Sequence, residues 1–255
     1  MPYKTLEQEE WHTRARNIIS FKYLEHDAEN IFRKRYKLGL KHGILLGAFG
    51  SGKTRATQKE IKLILESTND DVIVIDNDGL YEEFCNKNNG VYIEISIDST
   101  FFDNNVTINN RLIVLNIQRL SDEIKVQYAS KALEYAYQRI NEQSESSKNT
   151  WVYIEEVNEL IFDEYSLDIP KNGVITIVTS RVMDIIENKN PKTFFLDNGY
   201  IRLFKQWPYH RESLTEFVGI DSNMLEFDNV EISWAIIENR TIKIKEDLVS
   251  QSIIG

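Results

Sequence analysis

The chain has little cysteine, little histidine, no surplus of positive charge and no long apolar run. Cys85 is its only cysteine, so no intramolecular disulfide can form and a reducing cytoplasm fits. With no histidine near it in sequence, Cys85 is expected to be a small buried or half-buried residue, not a nucleophile. The histidines, His12, His26, His42 and His210, lack metal-ligand spacing, which argues against a zinc site. No apolar stretch approaches the roughly 18 residues of a spanning helix, and the N-terminal residues show no signal-peptide core. The expected location is therefore cytoplasmic. The net charge of −10 argues against a protein that coats nucleic acid nonspecifically. A local basic stretch exists at Arg33, Lys34, Arg35, Lys37 and Lys41, and a solvated helix face explains it most simply.

What is present is a globular composition. At 255 residues and 42% hydrophobic content, the chain can bury a sizeable core as one large domain or two small ones. No internal repeat and no dividing linker is visible, so a helical lead-in over 1–42 and one domain over 43–255 are expected. The lead-in would pack on the core's flank or on a partner.

The chain is organised around Gly47-Ala48-Phe49-Gly50-Ser51-Gly52-Lys53-Thr54, which reads G-x-x-x-x-G-K-T, a phosphate-binding loop. Ile44, Leu45 and Leu46 before it suit a buried strand, and Ile61, Leu63, Ile64 and Leu65 after it suit a helix. Glycines let successive backbone N–H groups line an anion-sized hollow, and the helix N-terminus adds its partial positive charge. Lys53 can reach the β- and γ-phosphates, and the Thr54 hydroxyl can ligate Mg²⁺.

Further apolar runs follow at Val72–Ile75, Val91–Ile97, Leu112–Ile117, Trp151–Ile154, Val174–Thr179 and Tyr200–Phe204. A long amphipathic helix from about Ser121 to Ile140 is expected, and Gln143 to Asn149 reads as a mobile linker. Ile232–Ile237 and Thr241–Ile244 flank Glu238-Asn239-Arg240, a hairpin signal. Strands alternating with helices predict an α/β fold, a mostly parallel sheet flanked by helices with a C-terminal antiparallel hairpin.

Val72–Ile75 runs into Asp76-Asn77-Asp78-Gly79, a polar turn where open α/β sheets place ligands. Trp151–Ile154 ends in Glu155-Glu156, the expected partner of a phosphate loop. The first acid would hold Mg²⁺ and the second would activate the attacking water. Thr179 and Ser180, at the end of the next strand, can sense a γ-phosphate or hold that water. Arg181, Lys171 and Arg202 are candidates to reach a neighbouring subunit's nucleotide. The guanine-selecting string N-K-x-D is absent; Asn86-Lys87-Asn88-Asn89 comes nearest and lacks the acid.

The ordered set resembles the ATPase domain of conjugative transfer and type IV secretion ATPases, within the FtsK/HerA superfamily. The resemblance rests on Gly47–Thr54, Val72–Tyr81, Gly90–Ile95, Arg111–Leu120, Trp151–Leu160, Lys171–Ser180 and Tyr200–Gly219. It implies a RecA-like core of the additional-strand, catalytic-glutamate branch that binds ATP and Mg²⁺. It also implies a homo-oligomer, a hexameric ring, acting on DNA or secretion-apparatus proteins. Association with the inner face of a membrane would come through partners. The chain departs from the family in having Glu155-Glu156 for Asp-Glu, Thr179-Ser180 for Thr-Gln, and Asn77 and Leu80 for Pro and Glu. Two other readings stay open: a nucleotide-binding switch with little hydrolysis, and a DNA packaging or segregation ATPase of a mobile element or virus.

Overall fold

Four of the apolar runs are buried at every residue, which only a sheet covered on both faces permits. The computed structural model describes residues 42–99, 101–102, 108–143, 148–156, 173–187, 199–218, 225, 232–237 and 240–245. The elements are β1 (His42–Leu46), α1 (Lys53–Ser67), β2 (Asp71–Asp76), α2 (Glu82–Lys87), β3 (Val91–Glu94), β4 (Leu112–Asn116) and α3 (Asp122–Glu142). They continue as β5 (Thr150–Glu155), β6 (Gly173–Thr179), α4 (Val182–Glu187), β7 (Gly199–Leu203), α5 (Pro208–Val218), β8 (Ile232–Ile237) and β9 (Arg240–Lys245). The strands form one sheet in the order β3-β4-β2-β5-β6-β1-β7-β8-β9. From β3 to β7 in that order neighbours run parallel, while β8 pairs antiparallel with β7 and with β9.

The period-2 alternation of the strands sorts the core into two layers. Ile73, Ile75, Ile113, Leu115, Val152, Ile154, Ile175 and Ile177 face α3 and α5, meeting Ala129, Ala132, Leu133, Ala136, Leu214 and Phe217. Val72, Val74, Leu112, Val114, Trp151, Tyr153, Val174 and Val178 face the other way, onto Ala56, Ile61 and Ile64 of α1 and onto Tyr81 and Cys85. Cys85 is buried and unpaired, as its isolation predicts. At the opposite end from the ligand-facing edge, Arg111 donates to the carbonyls of Leu65, Thr68 and Asp70 at 2.7–3.1 Å. The guanidinium thereby satisfies carbonyls at the C-terminus of α1 that the helix leaves unpaired.

Leu46 lies level with Thr179 and with Leu203, Glu155 with Val178, and Asp76 with Asn116. The carboxyl ends of the central strands thus share one edge, where the phosphate loop begins. The strand that separates β1 from β5 is β6, which follows both in the chain. The runs between them in sequence, β2 to β4, lie beyond β5.

Two boundaries differ from expectation. The run Val91–Ile97 is a strand only as far as Glu94, because β3 is an edge strand paired to β4 alone, and Ile97 is exposed. Gln143 is not part of a mobile linker: its amide donates to the Asp71 carboxylate at the end of α3. The expected lead-in up to residue 41, its basic stretch and Lys171 lie outside the described residues, as does most of the remaining linker; the lead-in's last residue, His42, instead opens β1. Among the described residues no helix is long and apolar enough to cross a membrane.

Candidate active site

The loop between β1 and α1 depends on its glycines. Gly50 and Gly52 have φ of +70° and +92°, in the left-handed region that costs other residues strain. At Gly47 the constraint is space: a Cβ would come within 2.7 Å of the Phe204 Cβ and 2.5 Å of the Ser51 Oγ. The Ala48 N–H donates to the Lys205 carbonyl at 2.8 Å, fixing the loop to the exit of β7. Lys53 is buried at the start of α1, and its Nζ donates back to the carbonyls of Gly47 (2.9 Å) and Ala48 (3.2 Å). The same Nζ lies 3.5 Å from the Glu156 carboxylate.

Opposite the loop, β5 delivers two acids with different surroundings. The Glu155 carboxylate accepts from the Tyr81 hydroxyl through one oxygen and from Thr54 Oγ1 at 3.5 Å through the other. Burial pushes its pKa up to about 8; the Tyr81 hydrogen bond and Lys53 oppose that, and Glu156 and Asp76 add to it. Burial also raises the Tyr81 phenol well above its usual value, with the Glu155 charge next in effect.

Glu156 has φ +49°, a strained conformation for this residue type, and its backbone N–H donates to the Val178 carbonyl at 2.7 Å. That bend turns its carboxylate toward the end of β6. It accepts from the Ser180 N–H (2.9 and 3.0 Å), the Ser180 hydroxyl (2.8 Å) and the Thr179 hydroxyl (3.3 Å). Thr179 and Ser180 therefore grip the second acid.

The turn after β2 supports both acids. One oxygen of Asp76 accepts from the N–H groups of Asp78, Gly79 and Leu80, and the other from that of Tyr81. This tight turn carries the Tyr81 ring to Glu155. It also places Asn77, whose side-chain amide donates to the Glu156 carbonyl at 3.2 Å. Burial raises the carboxyl pKa of Asp76 despite its four donors, and raises that of Asp78 with help from Glu156 and Asp76.

The donor set fits Mg²⁺, which takes one or two protein oxygens and completes its shell with phosphates and water. Thr54 Oγ1 and the Glu155 carboxylate are such a pair of hard oxygens. Among the described residues no cluster of three or more His, Cys, Asp or Glu suits a metal held by protein alone.

The structure thus gathers Gly47, Ala48, Gly50, Ser51, Gly52, Lys53, Thr54, Glu155, Glu156, Thr179 and Ser180 at one place. Phe49 sits at the loop tip, 70% exposed, with its ring 5.9 Å from Lys53 Nζ. Arg181 is exposed and lines a cleft with Asn77, Asp122, Lys125, Glu155 and Glu156. Arg202 does not fit the role considered for it. It is 2% exposed, its Nε donates to Ser233 Oγ at 2.9 Å, and its guanidinium lies over the Phe204 ring. A cation held inside the β7–β8 packing cannot reach a neighbouring subunit. Tyr81 is the participant not singled out from the sequence; Asp76 and Asn77 belong to the polar turn expected on the ligand side, where they hold the Tyr81 N–H and the Glu156 carbonyl.

No protein-family profile and no curated protein matches the chain. Solved structures do. VirB4 of Thermoanaerobacter pseudethanolicus superposes with a TM-score of 0.67 at 12% identity, covering 81% of this chain and 89% of that one. The bacterial conjugative coupling protein TrwB gives a TM-score of 0.58 at 8% identity over 93% of this chain and 91% of that one. The fold is that of the RecA-like P-loop NTPases. Within the same fold, the genome packaging NTPase B204 of Sulfolobus turreted icosahedral virus 2, in complex with ATP-gammaS, gives 0.56 at 13% identity, covering 82% and 98%.

Proposed function

We propose that the chain is a Mg²⁺-dependent ATPase that converts ATP to ADP and phosphate. The observation that carries this is the closure of one site from two distant segments: Lys53 Nζ 3.5 Å from Glu156 and Thr54 Oγ1 3.5 Å from Glu155. Lys53 and the loop amides hold the phosphates, Thr54 and Glu155 hold the metal, and Glu156 accepts the proton of the attacking water. Hydrolysis powers movement of DNA or protein, as in the conjugation and packaging proteins that share the fold. A homo-oligomeric ring supplies a basic side chain in trans, with Arg181 the remaining described candidate. Lys53→Ala is expected to abolish hydrolysis, and Glu156→Gln to bind ATP and cut turnover by about a thousandfold or more. Normal turnover by Glu156→Gln would refute the base assignment.

One feature favours a second reading, a nucleotide-dependent switch that hydrolyses little. The Glu156 carboxylate is already occupied by Ser180, Thr179 and Lys53. Single-turnover hydrolysis with and without DNA separates switch from motor. Mass photometry with and without ATP and DNA tests the ring; a persistent monomer indifferent to both would rule it out.

A further inference from the structure

The phosphate site has a polar flank and an aromatic one. Glu155, Glu156, Thr179 and Ser180 come from β5 and β6, on one side of β1, while β7 lies on the other side. On the ATPase reading the γ-phosphate faces Glu156, and a phosphate chain that leaves it across the loop, away from β5 and β6, heads toward β7. Here the chain after β7 is pinned to the loop. The Phe204 N–H donates to the Leu46 carbonyl and the Ala48 N–H to the Lys205 carbonyl, both at 2.8 Å. The buried Gln206 amide donates to the carbonyls of Leu46 (2.8 Å) and Phe204 (2.9 Å). Immediately beyond this clamp, Trp207 and Tyr209 are 47% and 70% exposed. Their rings lie within 7° of parallel with centroids 6.5 Å apart. The rings of Tyr209 and His210 meet at 70° with centroids 4.3 Å apart, and Pro208, between Trp207 and Tyr209 in sequence, opens α5 with a fixed φ. Two large flat side chains, stacked on each other and exposed directly after the segment pinned to the phosphate loop, offer π-faces to a ligand there.

We propose that Trp207 and Tyr209 form the stacking platform for the base of the bound nucleotide. The assignment rests on the ATPase reading above and adds the base-binding half of the site. Stacking is tolerant of base identity, so this platform supplies affinity for a nucleobase more than selection among bases.

The test compares the binding of a non-hydrolysable ATP analogue and of inorganic tripolyphosphate, both with Mg²⁺, by calorimetry. Trp207→Ala is expected to weaken the analogue about tenfold and to leave tripolyphosphate within about twofold. Trp207→Phe, which keeps a π-face, is expected to recover most of the loss, and Tyr209→Ala to show the same selectivity in smaller degree. Equal loss for both ligands, or an unchanged analogue affinity, would overturn the platform while leaving the ATPase reading intact. So would a loss confined to a single-stranded oligonucleotide, because the rings would then serve bases from another source. If neither ligand binds the unaltered protein, both readings fall together.

Discussion

The two flanks of the phosphate loop differ in almost every physical respect. On the β5–β6 side, Glu155 and Glu156 are buried and receive hydrogen bonds from Tyr81, Thr54, Thr179 and Ser180. On the β7 side, Trp207 and Tyr209 stand in solvent and touch aromatic neighbours. On the proposed reading the first flank serves charge that changes during a reaction, where donors must be in place beforehand. The second is built for a neutral flat surface that has only to be met. Substitutions should therefore act on turnover on one flank and on affinity on the other.

The largest effect that sharpens this contrast is expected at Ser180. Its N–H and hydroxyl both hold the Glu156 carboxylate. Ser180→Ala removes the hydroxyl bond and loosens Glu156, the proposed general base, so kcat should fall by about 10- to 100-fold with KM for ATP nearly unchanged. Ser180→Thr, which keeps a hydroxyl, should recover most of the rate. A rise in KM with kcat intact would mean that Ser180 meets the γ-phosphate directly and that Glu156 is positioned by other groups.

A second effect separates the two acids. Glu155 titrates at about 8 in the fold against 4.5 ordinarily, so between those values the folded state holds a proton that the unfolded state has lost. Stability must then fall as pH rises through that window, by about 1.4 kcal/mol per pH unit for one proton, and level off above it. Glu155→Gln cannot ionise and should flatten this part of the profile. The measurement is denaturant unfolding of both proteins from pH 5 to 9 without nucleotide or Mg²⁺. Parallel profiles would mean that the Glu155 carboxylate is ionised throughout, held by Tyr81 more strongly than burial opposes it.

Much of the polar flank was legible because its signals are local. The glycine loop, the β-branched runs of β2 and β6, and the acids ending β5 each declare themselves within a few residues. The pairing of these pieces is not local. Tyr81 and Glu155 are 74 residues apart and Ser180 and Glu156 are 24 apart, and only the placement of β6 between β1 and β5 brings the latter together. Ser180, expected to sense the γ-phosphate or hold the attacking water, donates in the structure to the Glu156 carboxylate through both its N–H and its hydroxyl. Arg202 shows a signal present but outweighed by chemistry. It stands two residues from both Tyr200 and Phe204, and period-2 alternation puts Tyr200 and Arg202 on one face of β7, with Phe204 just past its end. The buried aromatics on either side, and not its charge, go with its burial.

The aromatic flank was the least legible, because exposed tryptophan and tyrosine in a sequence look the same as buried ones. Its smallest expected effect is also the sharpest check on the contrast. Trp207 follows the Gln206 clamp and contributes no hydrogen bond to it. Trp207→Ala should leave unfolding free energy within about 0.5 kcal/mol of the parent. Gly47→Ala, on the same flank but forced against Phe204, should destabilise by about 1–3 kcal/mol. Denaturant unfolding of the two variants reads both numbers. If Trp207→Ala destabilises as much as Gly47→Ala, the ring belongs to the scaffold that holds the loop, and the flank would be structural.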